Sequence, residues 1–294
     1  MKDYIATLKF SKSECGVDFM INTADETEKR AWFDVNERYV TDFFEFFLFH
    51  KAQGYMLLDG LRINLHDNTL LIITPGQRQE WHVEIDKMKY NFLVFQENFM
   101  EPFIADRYLM FKLLFCYQHD LPQYFAITRE EADTLLSIMS KMKSELRNPI
   151  ADSYQFIVAY NYEFLLTLNR MFAVKFGLEQ RIHVNNIAFQ YKELLESHIR
   201  EYNRVKDYAK LLGISRVALN AAVDMEFGVT AIHLLKQRQL KEIKDCLLFE
   251  NRSPKEIASI FGFSAASHLM RFFKKQTGQT IGGFIKLMKE NGHE

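Results

Sequence analysis

The sequence lacks the features of secreted, membrane-spanning and disulfide-stabilised proteins. No apolar run approaches the roughly 20 residues that a membrane helix needs, and the N-terminal residues contain no apolar stretch typical of a secretory signal. The cysteines, Cys15, Cys116 and Cys246, are odd in number, widely spaced and outside any metal-ligand pattern. These absences predict a cytoplasmic protein with free, buried thiols, no membrane partner and no bound metal or other cofactor.

The residues that are present describe a folded protein with unevenly distributed charge. Hydrophobic residues make up 48% and charged residues 26% of the chain, which is typical of a well-packed soluble protein. From residue 178 onward, 18 Lys and Arg stand against 13 Asp and Glu, a difference of +5; because the whole chain carries −1, the first 177 residues carry −6. A basic C-terminal third favours contact of that part alone with a polyanion, although five charges are also compatible with chance.

Residues 1–100 contain short aromatic and β-branched runs separated by turn residues. The runs lie at 43–50, 54–66, 68–76 and 90–96. Asp59-Gly60, inside the second run, is a hairpin signal because both residue types tolerate the backbone of a tight turn. Short strands at this spacing predict a β-sandwich or barrel.

From about residue 101 the pattern becomes helical. Residues 129–148 have acids in the first turn and bases in the last, which matches the helix dipole, and Thr128 with Glu131 predicts a capping box. A second helix is predicted at about 150–176. Its apolar stripe is compatible with either a buried core or a dimer seam and consists of Ile157, Phe164, Leu168 and Met171.

Two segments beyond a polar, glycine-led linker predicted at 177–184 repeat each other. "YAKLLGIS" at 208–215 aligns with "IASIFGFS" at 257–264, at an offset of 49 residues. The shared types are Ala209 with Ala258, Gly213 with Gly262, and Ser215 with Ser264. In a helix-turn-helix the alanine lets two helices cross closely, the glycine ends the first helix in the left-handed conformation, and the serine caps the second. Two copies that share three such positions predict two helix-turn-helix motifs.

The segment that joins the two motifs predicts a spacer of defined length. Residues 230–248 have apolar side chains along one side of a helix, and these 19 residues span roughly 28 Å at about 1.5 Å per residue. Successive major grooves on one side of B-DNA lie about 34 Å apart. A rigid helix of this length favours DNA as the partner, because it can hold two recognition helices in consecutive grooves.

At this point the residues resemble a known family. "EIASIFGFS" followed by "FFKKQTGQT", with "LLGIS…FG" and "LLKQRQLKEIKDCL" upstream, resembles the DNA-binding domain of AraC-type bacterial transcription regulators. "DGLRINLHDNTLLIITPGQRQEW" resembles the cupin-like effector domain of that family. The resemblance implies an α+β protein with a cupin-like β-barrel or sandwich at 1–100, a helical dimerisation segment at 101–176, and an all-α double helix-turn-helix domain at 185–294. It also implies binding to double-stranded DNA as a homodimer, a small-molecule effector and contact with RNA polymerase.

The resemblance also assigns candidate DNA contacts. In the second motif, the recognition helix runs from about Ala265 to Lys275, with Ala266, Ser267, Met270 and Arg271 as base readers and Lys274 and Lys275 at phosphates. Arginine can pair bidentately with guanine, whereas alanine and methionine can offer only apolar contact, for example to a thymine methyl. The linker helix contributes Arg238.

The first motif departs from the family pattern. Ala221 stands where arginine is common, and Asp224 and Met225 stand where lysine is usual. Arg216 and Asn220 remain as candidate contacts, asparagine being suited to adenine. We therefore expect the first motif to bind weakly and the second to supply most of the affinity. The alternative is a protein-interaction adaptor in which a degenerate first motif no longer binds DNA.

The front domain is expected to sense a ligand rather than to catalyse a reaction. A cupin enzyme holds its metal with paired histidines and a carboxylate, but His50, His66 and His82 each stand alone, and Gln79 occupies the place where relatives often carry a histidine. Candidate ligand contacts near the strands are Phe46, Tyr55, Arg62 and Trp81. Each of these side chains is equally compatible with a role in the core or on the surface.

Overall fold

A strand that is buried on both faces organises the N-terminal part of the protein. The computed structural model describes residues 6–8, 21–27, 38–96, 99–100, 109–116, 121–178, 186–248, 250 and 252–291. The chain divides into two units, Met1–Glu179 and Gln180–Glu294. In the first unit the run Phe43–Phe49 is buried throughout, which explains why this strand is apolar at nearly every position instead of alternating.

The described strands form two five-stranded sheets, and the sandwich form of the predicted fold is confirmed. The strands are β1 (Ala6–Leu8), β2 (Ile21–Asp25), β3 (Tyr39–Thr41), β4 (Phe44–Lys51), β5 (Gly54–Leu58), β6 (Leu61–Asn64), β7 (Thr69–Ile73), β8 (Arg78–Val83), β9 (Lys89–Phe95) and β10 (Tyr124–Ala126). The outer sheet has the order β1-β3-β8-β5-β6, and the central sheet has the order β10-β7-β4-β9-β2. Pairing is antiparallel except between β1 and β3.

The central sheet separates two apolar cores. On one face of β4, Phe47 and Phe49 pack with Trp81 of the outer sheet, which fills the interior of the sandwich. On the other face, Phe46 packs with Phe164 from the helical layer. Because alternate side chains of a strand point to opposite faces, one phenylalanine-rich strand supplies both cores.

The predicted hairpin forms at Asp59-Gly60. Both residues have positive φ, 51° and 80°, as a two-residue hairpin turn between β5 and β6 requires. The Asp59 carboxylate accepts a hydrogen bond from the backbone N–H of Arg78 at 3.0 Å and one from the Gln77 side chain at 3.1 Å. The turn is thereby tied to the start of β8.

The helical layer belongs to the same unit as the sheets. It contains α1 (Leu109–Lys112), α2 (Arg129–Arg147) and α3 (Ser153–Phe176). The predicted capping box at Thr128 and Glu131 is present, and α3 ends at Gly177 in the left-handed conformation. Most of the predicted stripe on α3 is core rather than a dimer seam, because the side chains of Ile157, Phe164 and Leu168 are fully buried.

The second unit is an assembly of short helices around its own core. In chain order they are α4 (Asn186–His198), α5 (Val205–Leu211), α6 (Arg216–Phe227), α7 (Ala231–Leu248), α8 (Pro254–Ile260), α9 (Ala266–Thr277) and α10 (Ile281–Asn291). The connecting helix α7 has 18 residues, which is close to the predicted length. Most of the linker predicted at 177–184 lies outside the described residues.

Among the described residues, no single helix is both long and apolar enough to cross a membrane. Only α6 and α7 taken together reach that length and apolarity, with a bend of 77° between them.

We predict that Phe46→Ala destabilises the N-terminal unit by about 3–5 kcal/mol, because it removes a fully buried ring and leaves a cavity. Phe156→Ala is the matched control, since the Phe156 side chain is 44% exposed on α3. Chemical denaturation followed by circular dichroism measures both changes. Equal losses of stability in the two variants would contradict the assignment of Phe46 to the core.

Candidate functional site

The first helix-turn-helix consists of α5, a short turn and α6. Gly213 adopts a φ of 67° after α5, which is the left-handed conformation that glycine accommodates most easily. Ser215 caps α6, and its hydroxyl accepts a hydrogen bond from the backbone N–H of Ala218 at 3.1 Å. Ala209 on α5 is buried. The three shared residue types therefore have their predicted roles in this copy.

The second helix-turn-helix consists of α8, a longer turn and α9. A capping box of Ser253 and Glu256 starts α8, and Gly262 adopts a φ of 66°. The prediction that Ser264 caps α9 is wrong. The capping position is Ala265, and the Ser264 hydroxyl instead forms a hydrogen bond with His268 Nδ1 at 2.6 Å.

This extra turn residue changes the register between the two recognition helices. Helices α6 and α9 both have 12 residues and both end at a left-handed glycine, Gly228 and Gly278, so beyond the turn the repeat has an offset of 50 rather than 49. In this register Leu219 matches Leu269 and Val223 matches Phe273, and all four side chains are fully buried. Equivalent buried residues thus fix the rotation of each helix about its own axis in the same way.

The outward faces of the two recognition helices differ in chemistry. The exposed residues of α9 include Ser267, Met270, Arg271, Lys274 and Lys275, while Ala266 is half-buried. In the register set by the buried residues, Val217, Asn220, Ala221, Asp224 and Met225 of α6 take the places of those five exposed residues. Asn220 is polar where α9 has the apolar Met270. At the other four positions, α6 has apolar or acidic side chains where α9 has polar or basic ones.

Two of the candidate DNA contacts have structural partners instead. The Asn220 side-chain oxygen accepts a hydrogen bond from the backbone N–H of Ala231 at 3.1 Å, so it satisfies the first N–H of α7. The Arg238 guanidinium forms ion pairs with Glu196 and Glu242, each at 2.6 Å, and its side chain is only 13% exposed. In this arrangement Arg238 joins α4 to α7. Arg216 is exposed at the start of α6.

A set of ionic and polar contacts joins the segment between α4 and α5 to α7 and to the second motif. The Arg200 side chain contacts Glu242 at 2.7 Å and also pairs with Glu250, which precedes the second motif. The Asn203 amide donates a hydrogen bond to the backbone oxygen of Phe261 at 3.3 Å, in the turn of the second motif. The residues that follow α4 therefore hold α7 and the second motif against the segment that leads into α5.

The comparison with known families agrees with this geometry. Residues 208–286 match the family model of a helix-turn-helix domain. Residues 208–286 of the C-terminal unit form a helix-turn-helix domain of the AraC type. No curated protein sequence matches the chain significantly.

Solved structures of AraC-type proteins are similar to the chain at low identity. ToxT K231A from Vibrio cholerae strain SCE256 is 12% identical over 91% of this chain and 97% of that one, with a TM-score of 0.36. Wild-type ToxT with a bound unsaturated fatty acid is 13% identical over 91% of this chain and 94% of that one, with a TM-score of 0.35. The C-terminal domain of AraT from Geobacillus stearothermophilus is 20% identical over 36% of this chain and 88% of that one, with a TM-score of 0.32. TM-scores this low indicate weak similarity, and the family match by itself identifies the helix-turn-helix domain.

The four candidate ligand residues of the front unit do not come together. Phe46 faces the helical layer, where its ring lies 5.4 Å from that of Phe164. Trp81 is buried between the sheets. The Arg62 guanidinium lies 3.9 Å from the centre of the Tyr55 ring, on the half-buried face of the outer sheet. Of these four residues, only Trp81 therefore lies in the interior of the sandwich.

The sandwich interior contains a polar cluster that sequence reasoning missed. The Glu45 carboxyl is fully buried and accepts hydrogen bonds from Thr41 at 2.8 Å and from the Gln79 amide. Gln79 in turn accepts a hydrogen bond from the Trp81 indole at 3.1 Å. Among the described residues, the second Glu45 oxygen is buried without a hydrogen-bond partner. The sequence feature that indicates this cluster is a single glutamate inside the apolar run Phe43–Phe49. A strand buried on both faces leaves such a residue no path to solvent.

Burial raises the pKa of Glu45 to about 7, because the desolvated carboxylate is disfavoured more than its hydrogen bonds from Gln79 and Thr41 can offset. Among the described residues, no group of three His, Cys, Asp or Glu side chains is arranged to hold a metal ion.

We predict that the stability of the N-terminal unit falls as the pH rises from about 4.5 to about 7. Over this range the folded protein keeps the Glu45 proton while the unfolded chain releases it, so raising the pH favours unfolding by up to about 3 kcal/mol. Glu45→Gln removes this contribution and is most stabilising above pH 7. Urea denaturation across that pH range measures the effect, with Glu84→Gln at an exposed site as the control. Parallel profiles for wild type and Glu45→Gln would contradict it.

We predict that Gly262→Ala destabilises the helix-turn-helix domain by about 1–3 kcal/mol. The new Cβ would lie 1.9 Å from the Asn203 amide nitrogen, at a φ of 66° that alanine rarely adopts. Gly282→Ala is the control, because its Cβ meets nothing within 4 Å and alanine favours a helix by up to about 1 kcal/mol. Thermal denaturation should separate the two variants, and similar melting temperatures would argue against a close contact at Gly262.

Proposed function

We propose that this protein is a sequence-specific DNA-binding transcription regulator without enzymatic activity. The observation that supports it most is the basic outward face of α9. Arg271, Lys274 and Lys275 are exposed and form no side-chain ion pair with another described residue, while Leu269 and Phe273 hold the opposite face in the core of a helix-turn-helix domain. Exposed cations on a recognition helix match the charge of a phosphate backbone.

In this proposal the second motif is the principal reader. Arg271 lies in the second turn of α9, where a guanidinium can pair bidentately with guanine. Lys274 and Lys275 lie one turn further along and contact phosphates, which fix the helix on the duplex without reading sequence. Ser267, Met270 and the half-buried Ala266 complete the face toward the bases. In the first motif, Arg216 remains as the basic contact.

The N-terminal unit acts as the regulatory part of the proposed regulator. A small molecule bound inside the sandwich would shift the population of DNA-competent arrangements of a homodimer, and a DNA-bound dimer could contact RNA polymerase. Support for an internal ligand comes from the second Glu45 oxygen, which is buried without a hydrogen-bond partner among the described residues. Buried polar atoms in native proteins usually have such a partner. For the dimer, α3 offers the partly exposed side chains of Phe156, Tyr162 and Val174.

A protein-interaction adaptor is the second candidate function. It is favoured by the outward face of α6, where Val217 and Met225 are 77% and 63% exposed and Asp224 replaces the lysine of the second copy. The two functions differ in their salt dependence. Neutralised phosphates release counterions, so DNA binding weakens steeply with salt, whereas an adaptor shows weak binding to DNA or none.

We predict that Arg271→Ala weakens binding to a duplex selected in vitro from random sequences by about 1–3 kcal/mol and relaxes the preference for guanine at one position. Asn220→Ala is the matched control. Because the Asn220 side chain caps α7, its loss should lower the melting temperature and leave the affinity of the folded protein unchanged. A fluorescence titration measures both variants. Greater loss of specific affinity in Asn220→Ala would overturn the assignment of the second motif as principal reader.

We predict that Asp224→Lys strengthens DNA binding and steepens the slope of log K against log salt by about 0.9, because it adds one phosphate contact at the place that Lys274 occupies in α9. Lys274→Asn should make the slope shallower by a similar amount. Titrations between 50 and 200 mM salt test both changes. Slopes near zero for the wild type would support the adaptor.

A further inference from the structure

The first recognition helix presents three small apolar side chains where a recognition helix meets DNA. Val217, Ala218 and Ala221 lie in the first two turns of α6 and are exposed, Val217 by 77%. The N-terminal residues of a recognition helix are those that contact base edges. The positions equivalent to Val217 and Ala221 in α9 carry Ser267 and Arg271.

These three side chains are not needed for packing of the domain. The inward face of α6 is formed by Leu219, Ala222 and Val223, which are buried. Val217 and Ala221 are four residues apart, which places them one above the other on the opposite face. The exposed apolar surface is therefore available to a partner of the domain.

The chemistry of this surface limits what it can recognise. None of the three side chains has a hydrogen-bond donor or acceptor, so the surface cannot read the amino, carbonyl or ring-nitrogen groups of the bases. The apolar group that DNA offers in the major groove is the C5 methyl of thymine. Two alanines also leave room for the helix backbone to approach the base edges closely.

We propose that the first motif reads thymine methyl groups through Val217 and Ala221, and that the operator is therefore asymmetric. The half-site of the first motif carries thymines, and the half-site of the second motif carries a guanine that pairs with Arg271. This inference rests on the proposed DNA-binding function and names the sequence class that the first motif selects.

DNA is favoured over a protein as the occupant of this face for two reasons. The face occupies the same position on α6 as the basic face of α9 on its own motif, so it corresponds to the proposed DNA-contacting face of the second motif. Arg216 immediately precedes Val217 and is exposed at the start of α6, where a positive charge can contact a phosphate. Asp224 lies further along the same helix, which directs phosphate contacts to the N-terminal end.

Replacement of thymine by uracil in the bound duplex tests the proposal, because it removes only the methyl group. A duplex selected in vitro by the full-length protein is used, and the position at which Arg271→Ala relaxes the guanine preference marks the second half-site. Uracil in the other half-site, about one helical turn away, should weaken binding about fourfold for each contacted methyl, as expected for one buried apolar carbon. The effect should shrink toward onefold in Val217→Ala for the thymine that this residue contacts.

Ile150→Ala is the control, since the Ile150 side chain is 70% exposed ahead of α3 in the other unit and its removal should keep the full uracil effect. Specific binding without any uracil effect in the half-site of the first motif overturns the thymine proposal and leaves the proposed function intact. If no duplex is selected and Val217→Ala instead abolishes binding to a protein, the face is a protein-docking surface and both proposals fail. Circular dichroism confirms that each variant is folded.

Discussion

The burial of two side chains, four residues apart, determines how each recognition helix is presented. Leu219 and Val223 in the first motif, and Leu269 and Phe273 in the second, are fully enclosed in the core of the helix-turn-helix domain. A helix anchored at positions i and i+4 cannot rotate about its axis without exposing apolar surface. The opposite face is therefore presented to a partner in one defined orientation, and its residues determine what can be bound.

The two motifs share this anchoring and differ in everything that faces outward. The second presents Arg271, Lys274 and Lys275, whereas the first presents Val217, Ala221 and Asp224 in the corresponding places. Charged contacts to phosphates supply affinity, and contacts to base edges supply specificity. Under the proposed function a division of labour follows from these residue types, in which the second motif supplies most of the affinity and reads a guanine, and the first motif adds discrimination. The ion pairs of Arg238 and Arg200 support this arrangement, because they hold α4, α7 and the residues before the second motif together.

The N-terminal unit contains a carboxyl group that is enclosed by apolar surface. Glu45 lies in the strand that forms both cores, and its pKa is raised to about 7, so the group is largely protonated at slightly acid pH. Its second oxygen lies inside the sandwich and has no hydrogen-bond partner among the described residues.

Local patterns were sufficient to predict several of the elements. The double motif, the Asp59-Gly60 hairpin, the capping box at Thr128 and the two long helices depend on near neighbours in the chain, and the sequence by itself determined them. Only the tertiary structure decided the roles of single side chains. Asn220 and Arg238 look like DNA contacts in sequence. In the structure, Asn220 accepts a hydrogen bond from the backbone of Ala231 on α7. Arg238 pairs with Glu196 on α4 and with Glu242 on its own helix. Phe46, Trp81 and Tyr55 look like one pocket, but each faces a different layer. The physical reason is that a side chain's direction follows from the packing of its element against distant parts of the chain, as the extra turn residue before α9 also shows by shifting that helix by one position.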